Sequence, residues 1–232
     1  MRFLHLADLH LGKRLNGFDL LEDQRAVLEQ VLALCGEHQV DAVAVAGDIY
    51  DVPQPSAAAV LLLDWFLTEL ARRSIPVLAV SGNHDSAERL DYAGQLLARQ
   101  GVYLAGQFTG QLTPVCLSDE AGPVEFVLLP FVRAATVRHF LPEAGIRSYD
   151  DAVAAALGTL PPADGVRRVL VAHQFVLAGS RPPETAGSES CALEVGTVEQ
   201  VDAARFAGFC YTALGHIHRP QAVGGETVRY AG

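Results

Sequence analysis

This sequence predicts an α/β fold built on a parallel sheet. Two patterns carry that prediction: short β-branched or leucine-rich runs alternate with longer amphipathic stretches through the first hundred residues, and the runs stay within strand length. Composition is the third observation. The chain has 232 residues, 50% of them hydrophobic and 19% charged. Soluble domains average about 25% charged, so this chain has ample material for one large core and none of the charge excess of a disordered one. No internal repeat, low-complexity tract or linker divides it, and residues 1–232 read as one domain.

Residues 3–7 form the first expected strand. Residues 19–38 follow as a helix, with Asp19 and Glu22 at capping-box spacing and Leu21, Leu28, Val31, Leu32 and Cys35 along one face. A strand at 42–46, a helix at 56–73 entered behind Pro55, and a strand at 77–80 complete a βαβαβ unit. Right-handed crossovers make that unit a parallel sheet with helices on its faces. After Gly101 the grammar changes. Runs at 112–117 and 124–129 flank the turn Asp119-Glu120-Ala121-Gly122 as a hairpin, and 133–141 and 149–157 read as helices. Strands return at 169–172, 211–214 and 227–230, the last facing 221–223 across Gly224-Gly225. Residues 179–196 read as a long loop.

The net charge of −10 argues against a binder that holds nucleic acid by charge alone, though not against an enzyme with a local basic rim. Five acids, Glu184, Glu189, Glu194, Glu199 and Asp202, lie between Pro182 and Ala204 without one Lys or Arg. That segment is the surface least suited to face DNA. Cys35, Cys116, Cys191 and Cys210 form no C-x-x-C pair, which suits buried free thiols in a reducing compartment, the cytoplasm. The acid at Asp8 interrupts any signal-peptide core. The longest apolar run, residues 57–63, falls far short of the roughly 20 residues of a membrane span, so no membrane contact is expected.

Five of the expected strands end in residues that bind metals or move protons. These are Asp8-Leu9-His10, Gly47-Asp48-Ile49-Tyr50-Asp51, Gly82-Asn83-His84-Asp85, His173 and Gly215-His216-Ile217-His218. The carboxyl ends of parallel strands form the crevice where α/β proteins bind ligands, so these groups can converge across the length of the chain. Two carboxylates (Asp8, Asp48), one amide (Asn83) and four imidazoles (His10, His173, His216, His218) exceed what one ion needs and suit two. Mixed oxygen and nitrogen donors without thiolates favour manganese, iron or zinc over magnesium. Glycines before Asp48, Asn83 and His216 allow sharp turns and the close approach of a phosphate.

Taken in this order, these motifs resemble the calcineurin-like metallophosphoesterases, whose fold is a four-layer α/β/β/α sandwich. A finer resemblance is to the SbcD-type DNA-repair nucleases. It rests on residues 5–12, 45–51, 213–220 and 228–232, and is loose over 105–165 and 179–200. The resemblance implies one ion on Asp8, His10, Asp48 and His218 and a second on Asp48, Asn83, His173 and His216, with Asp48 as the bridge and manganese as the metal. It implies hydrolysis of DNA phosphodiesters by 3′-to-5′ exonuclease and hairpin or single-strand endonuclease action. His84 would protonate the departing 3′ oxygen, and Asp85 would orient that imidazole. It also implies an SMC-like ATPase partner, SbcC, and a nuclease core that stops before a capping domain and an ATPase-binding segment. The alternatives are a phosphomonoesterase or cyclic-nucleotide phosphodiesterase on the same scaffold, and a metal-bound scaffold without activity.

His5, inside a strand, His38, at a helix end, and His139, on a helix without an acidic neighbour, read as structural. Asp51 reads as support for the Asp48 loop. Lys13, Arg14, Arg89 and Arg219 each follow a metal motif and are candidates to hold DNA phosphates. The helix at 56–73 is apolar nearly all round and, with residues 90–98, is the expected homodimer surface.

Overall fold

The computed structural model describes residues 1–179, 181–186 and 199–232. Strand β1 (Phe3–Leu6) leads into a two-residue hairpin, β2 (Arg14–Leu15) and β3 (Phe18–Asp19), and then helix α1 (Leu21–Glu37). Next come β4 (Ala42–Ala46), α2 (Ala57–Arg72), β5 (Val77–Val80), two short helices α3 (Ala87–Leu90) and α4 (Gly94–Ala98), and β6 (Val102–Ala105). Strands β1, β4, β5 and β6 form a parallel sheet in chain order. Right-handed crossovers that always step the same way put every helix on one face. Helices α1 and α2 therefore share one side, where helices on both sides were expected.

The other face meets a second sheet. Its strands are β7 (Val115–Asp119), β8 (Gly122–Leu129), β9 (Arg167–His173), β12 (Tyr211–Gly215), β13 (Gln221–Ala222) and β14 (Val228–Tyr230), ordered β13-β14-β12-β9-β8-β7. Helices α5 (Ala134–Phe140) and α6 (Tyr149–Leu157) cover its outer side, and β10 (Phe175–Leu177) pairs with β11 (Gln200–Asp202) beside it.

Alternation along the strands builds the layers. In β4, Val43 and Val45 pack toward α1 and α2, while Ala42, Ala44 and Ala46 face the second sheet. In β9, Val169 and Val171 face inward, and Leu170 and Ala172 pack toward α5 and α6. The alanine rows let the sheets approach closely. Phe126 packs in the same layer, edge-on to Phe3 at 5.5 Å between ring centres. The result is the expected α/β/β/α sandwich.

Several local expectations change. Asp19 does not cap α1: its carboxylate accepts from the Leu21 amide two residues on, a tight turn that leads from β3 into α1. Ser56 caps α2 as expected, accepting from the Ala59 amide. Residues 90–98 are two short helices, parted where Ala93 takes a left-handed conformation. The hairpin strand begins at Val115 rather than 112, and β6 is a strand the sequence did not announce. Cys35 is buried, whereas Cys116 and Cys210 are exposed. Most of the loop expected at 179–196, including Glu189, Cys191 and Glu194, lies outside the described residues. No helix among the described residues is long and apolar enough to cross a membrane.

Candidate metal centre

All five motifs sit at carboxyl ends of parallel strands: Asp8 and His10 after β1, Asp48 after β4, Asn83 and His84 after β5, His173 at the end of β9, and His216 and His218 after β12. Two sheets contribute, and within the first of them backbone bonds lock the loops after β1 and β4 together. The Asp8 amide donates to the Gly47 carbonyl at 3.0 Å and the His10 amide to the Asp48 carbonyl at 2.9 Å. Four of these residues, Asp8, His10, Asp48 and His216, have positive φ. Left-handed backbone in non-glycine residues is costly and persists where surrounding structure enforces it, typically at functional sites.

The side chains converge in two groups. In one, His218 Nε2 lies 3.5 Å from Asp8 Oδ1 and 3.3 Å from His10 Nε2, with His10 Nε2 3.7 Å from Asp48 Oδ2. In the other, His173 Nε2 lies 3.4 Å from Asp48 Oδ2 and 3.0 Å from Asn83 Oδ1, while His216 Nδ1 is 3.0 Å from that same Asn83 oxygen. Asp48 stands between them, 2% exposed. Its second oxygen accepts from the His84 amide at 2.9 Å.

This donor set fits cations. Imidazole nitrogens 3.2–3.3 Å apart, flanked by carboxylate oxygens, need a proton or a metal ion between them. The tautomers agree. His173 Nδ1 donates to the Ala46 carbonyl across the sheet interface at 2.8 Å, which aims the Nε2 lone pair at the site. Burial opposes protonation of His173, yet the Asp48 charge and hydrogen bond overcome it and push its pKa up to about 9. Burial likewise works against the Asp48 carboxylate, but His173 and the His84 amide hold it well below the usual range. The pair thus draws positive charge to this spot. Burial, then the His173 charge, depress His216 to about 3, leaving it a neutral ligand. Burial also lowers His10.

Three expectations about supporting residues shift. Asp85 was expected to orient His84, but its carboxylate accepts from the amides of Ile49, Tyr50 and Gly82 at 3.1, 2.9 and 2.9 Å, so it binds the Asp48 loop to the Asn83 loop. The Nδ1 of His84 instead meets the Asp51 carbonyl at 2.8 Å. Asp51 does more than support its loop: its Oδ1 lies 3.3 Å from His10 Nδ1 and 3.2 Å from Lys13 Nζ. Its carbonyl therefore orients His84, while its carboxylate binds Lys13 and lies close to His10 without a hydrogen bond to it. The last residue of the G-D-x-x-D motif was the available signal. The glycines also serve a different neighbour, since a Cβ on Gly82 would lie 2.0 Å from Asp48 Oδ1 and one on Gly215 1.9 Å from the Ala46 carbonyl. They make room for the chain's own ligands and backbone. Phe131 and Phe175, unmarked by any motif, stand edge-on to His173 and His216 at 6.3 and 6.2 Å.

The candidate phosphate contacts divide. Lys13 is paired with Asp51, and Arg219 with Glu184 at 2.8 Å. Arg14 donates to the Gly17 carbonyl within the β2–β3 hairpin, and Arg89 lies on α3. His5 is structural as expected, its Nδ1 3.2 Å from the Tyr211 hydroxyl and its Nε2 3.1 Å from the Leu214 carbonyl.

A four-layer sandwich with two cation-binding donor groups sharing one carboxylate defines a two-metal phosphoester hydrolase. The chain belongs to the calcineurin-like phosphoesterase family, whose model matches residues 1–220. Among solved structures it is similar to GAP50, the anchor in the inner membrane complex of Plasmodium, at 15% identity and a TM-score of 0.53, over 99% of this chain and 70% of that one. It is also similar to a dimetal phosphatase from Danio rerio, at 14% identity and a TM-score of 0.51, over 98% of this chain and 85% of that one. Likeness at these identities speaks for the fold alone.

Proposed function

We propose that this chain is a DNA phosphodiesterase of the SbcD type, acting as exonuclease and endonuclease in DNA repair with an SMC-like ATPase, SbcC. The observation that carries the reading is the His84 imidazole set beside the shared Asp48, in a chain whose four SbcD-like segments include every ligand loop but those of Asn83 and His173. Asp8, His10, Asp48 and His218 would hold one ion, and Asp48, Asn83, His173 and His216 the other, with manganese as the proposed metal. Two divalent ions so held supply activation of a water nucleophile and neutralisation of charge on the phosphoryl oxygens.

The chain's own residues supply the rest. The Asp51 carbonyl can only accept, so His84 Nδ1 carries a proton, and Nε2 is the atom that gives one to the departing 3′ oxygen. The half-buried position of His84 lets it reach a substrate at the mouth of the site. Arg14 and Arg89 hold flanking phosphates, with Lys13 and Arg219 exchanging their carboxylate partners for phosphate. Two copies associate through α2 and the α3–α4 segment, where Val60, Leu61, Tyr92 and Leu96 are exposed apolar residues.

A phosphomonoesterase is the second reading, because this fold and metal site do not by themselves fix the substrate. Incubation with manganese and either end-labelled DNA or a chromogenic phosphomonoester separates the two. DNA cleavage supports the nuclease, and monoester hydrolysis alone supports the phosphatase. Inertness toward both leaves only a scaffold.

A further inference from the structure

We infer that Gln24 is the positioning residue of the ion site formed by Asp8, His10, Asp48 and His218, because its one amide group holds three backbone groups of the loop that carries Asp8 and His10. The inference rests on the two-ion reading above. Within this loop Asp8, His10 and Gly12 all have positive φ, at 54°, 43° and 87°. Such a loop does not hold this shape by its own preference. Its amides are bound on one side, where Asp8, His10 and Leu11 donate to the carbonyls of Gly47, Asp48 and Ile49.

Gln24 holds the other side. From the first turn of α1, its Nε2 donates to the Leu9 carbonyl at 3.1 Å and the His10 carbonyl at 2.7 Å, while its Oε1 accepts from the Gly12 amide at 2.9 Å. Both N–H groups and the oxygen are used, so the amide orientation is fixed by its partners. No other side chain of this length offers two donors on one atom and an acceptor beside it. Glutamate keeps the acceptor but sets a second oxygen against two carbonyls. Methionine keeps the shape and makes none of the bonds.

The consequence is selective. Gln24 touches the loop that carries two ligands of one ion site, whereas Asn83, His173 and His216 follow other strands, and His216 meets that loop where its amide donates to the Asp8 carboxylate. Loss of a group that orients a ligand costs about 10- to 100-fold in metal affinity. The test is a calorimetric titration of the chelator-stripped chain with Co²⁺, read in parallel by the visible absorption of each bound ion. Wild type should take up two ions. Gln24→Glu and Gln24→Met should keep one at wild-type affinity and bind the other about 10- to 100-fold more weakly, with its absorption band altered. Gln24→Met, uncharged and of similar shape, carries the test if Gln24→Glu fails to fold. Wild-type affinity for both ions in the variants would overturn the inference. Equal weakening of both, together with a lower melting temperature of the stripped protein, would also overturn it by showing a general structural role. A wild-type chain that binds fewer than two ions would instead remove the two-ion reading itself.

Discussion

At the scale of single residues, the proposed roles separate groups that would hold cations from His84, which would move a proton. His84→Ala should keep both ions while turnover falls about 10²- to 10⁴-fold, the usual worth of a general acid. Asp48→Ala removes the shared carboxylate and should lose the metals along with activity. Metal analysis of the two purified variants decides, and an empty His84→Ala would contradict this division of roles. Gly82→Ala makes a separate prediction from packing. Its Cβ would meet Asp48 Oδ1 at 2.0 Å, so the variant should lose about 1–3 kcal/mol of stability and bind metal more weakly. Urea denaturation with and without manganese measures both. The convergence of the candidate ligands was legible in the sequence because metal chemistry restricts residue type and strand ends restrict place. Their orienting partners were not. Asp51 acts through a carbonyl as well as a carboxylate, and Asp85 through three amides of other loops, and neither role leaves a mark in residue identity.

At the scale of elements, periodicity announced most strands of the two large sheets and missed the edge strand β6 and the two- and three-residue strands β2, β3, β10 and β11. Strand β6 has one fully buried residue, Val102, and its remaining residues are half-buried, so no clear alternation marks it. Residues 90–98 look helical by composition, and only the left-handed Ala93 divides them. His5 shows what a histidine does between two sheets. Burial is the main cause that pushes its pKa down to about 4, from about 6.5 in the unfolded chain. Below about pH 6.5 the unfolded chain gains a proton that the folded chain refuses, so this site's contribution is full above that pH and lost as pH falls toward 4. The slope reaches up to about 1.4 kcal/mol per pH unit. Chelator-stripped His5→Phe should therefore show a flatter decline in stability between pH 6.5 and 4 than wild type, measured by urea denaturation. Parallel declines would place the acid sensitivity elsewhere.

At the scale of the whole molecule, the formal charge of −10 is unevenly spread. Two divalent ions would offset part of it at the strand ends. The acids Glu184, Glu199 and Asp202 lie in or beside the incompletely described segment, with Glu184 turned onto Arg219 and Glu199 onto Tyr149. On the proposed nuclease reading, the field that attracts a polyanion would be local to the metals and to Arg14 and Arg89. Charge reversal at Lys13, Arg14, Arg89 and Arg219 should weaken DNA binding and flatten its salt dependence, since each phosphate contact adds about 0.9 to the slope of log K against log salt. Unchanged affinity and slope would exclude these four. The apolar exposure of Val60, Leu61, Tyr92 and Leu96 predicts a dimer at micromolar concentration that Leu61→Glu converts to monomer, as sedimentation would show.

Whether a phosphodiester is the substrate is tested most directly by cleavage of end-labelled duplex DNA by the manganese-loaded chain. The proposed nuclease should shorten the strand stepwise from the 3′ end in wild type, and about 10²- to 10⁴-fold more slowly in His84→Ala with both ions bound. Intact DNA beside rapid hydrolysis of a phosphomonoester by the same preparation would contradict it.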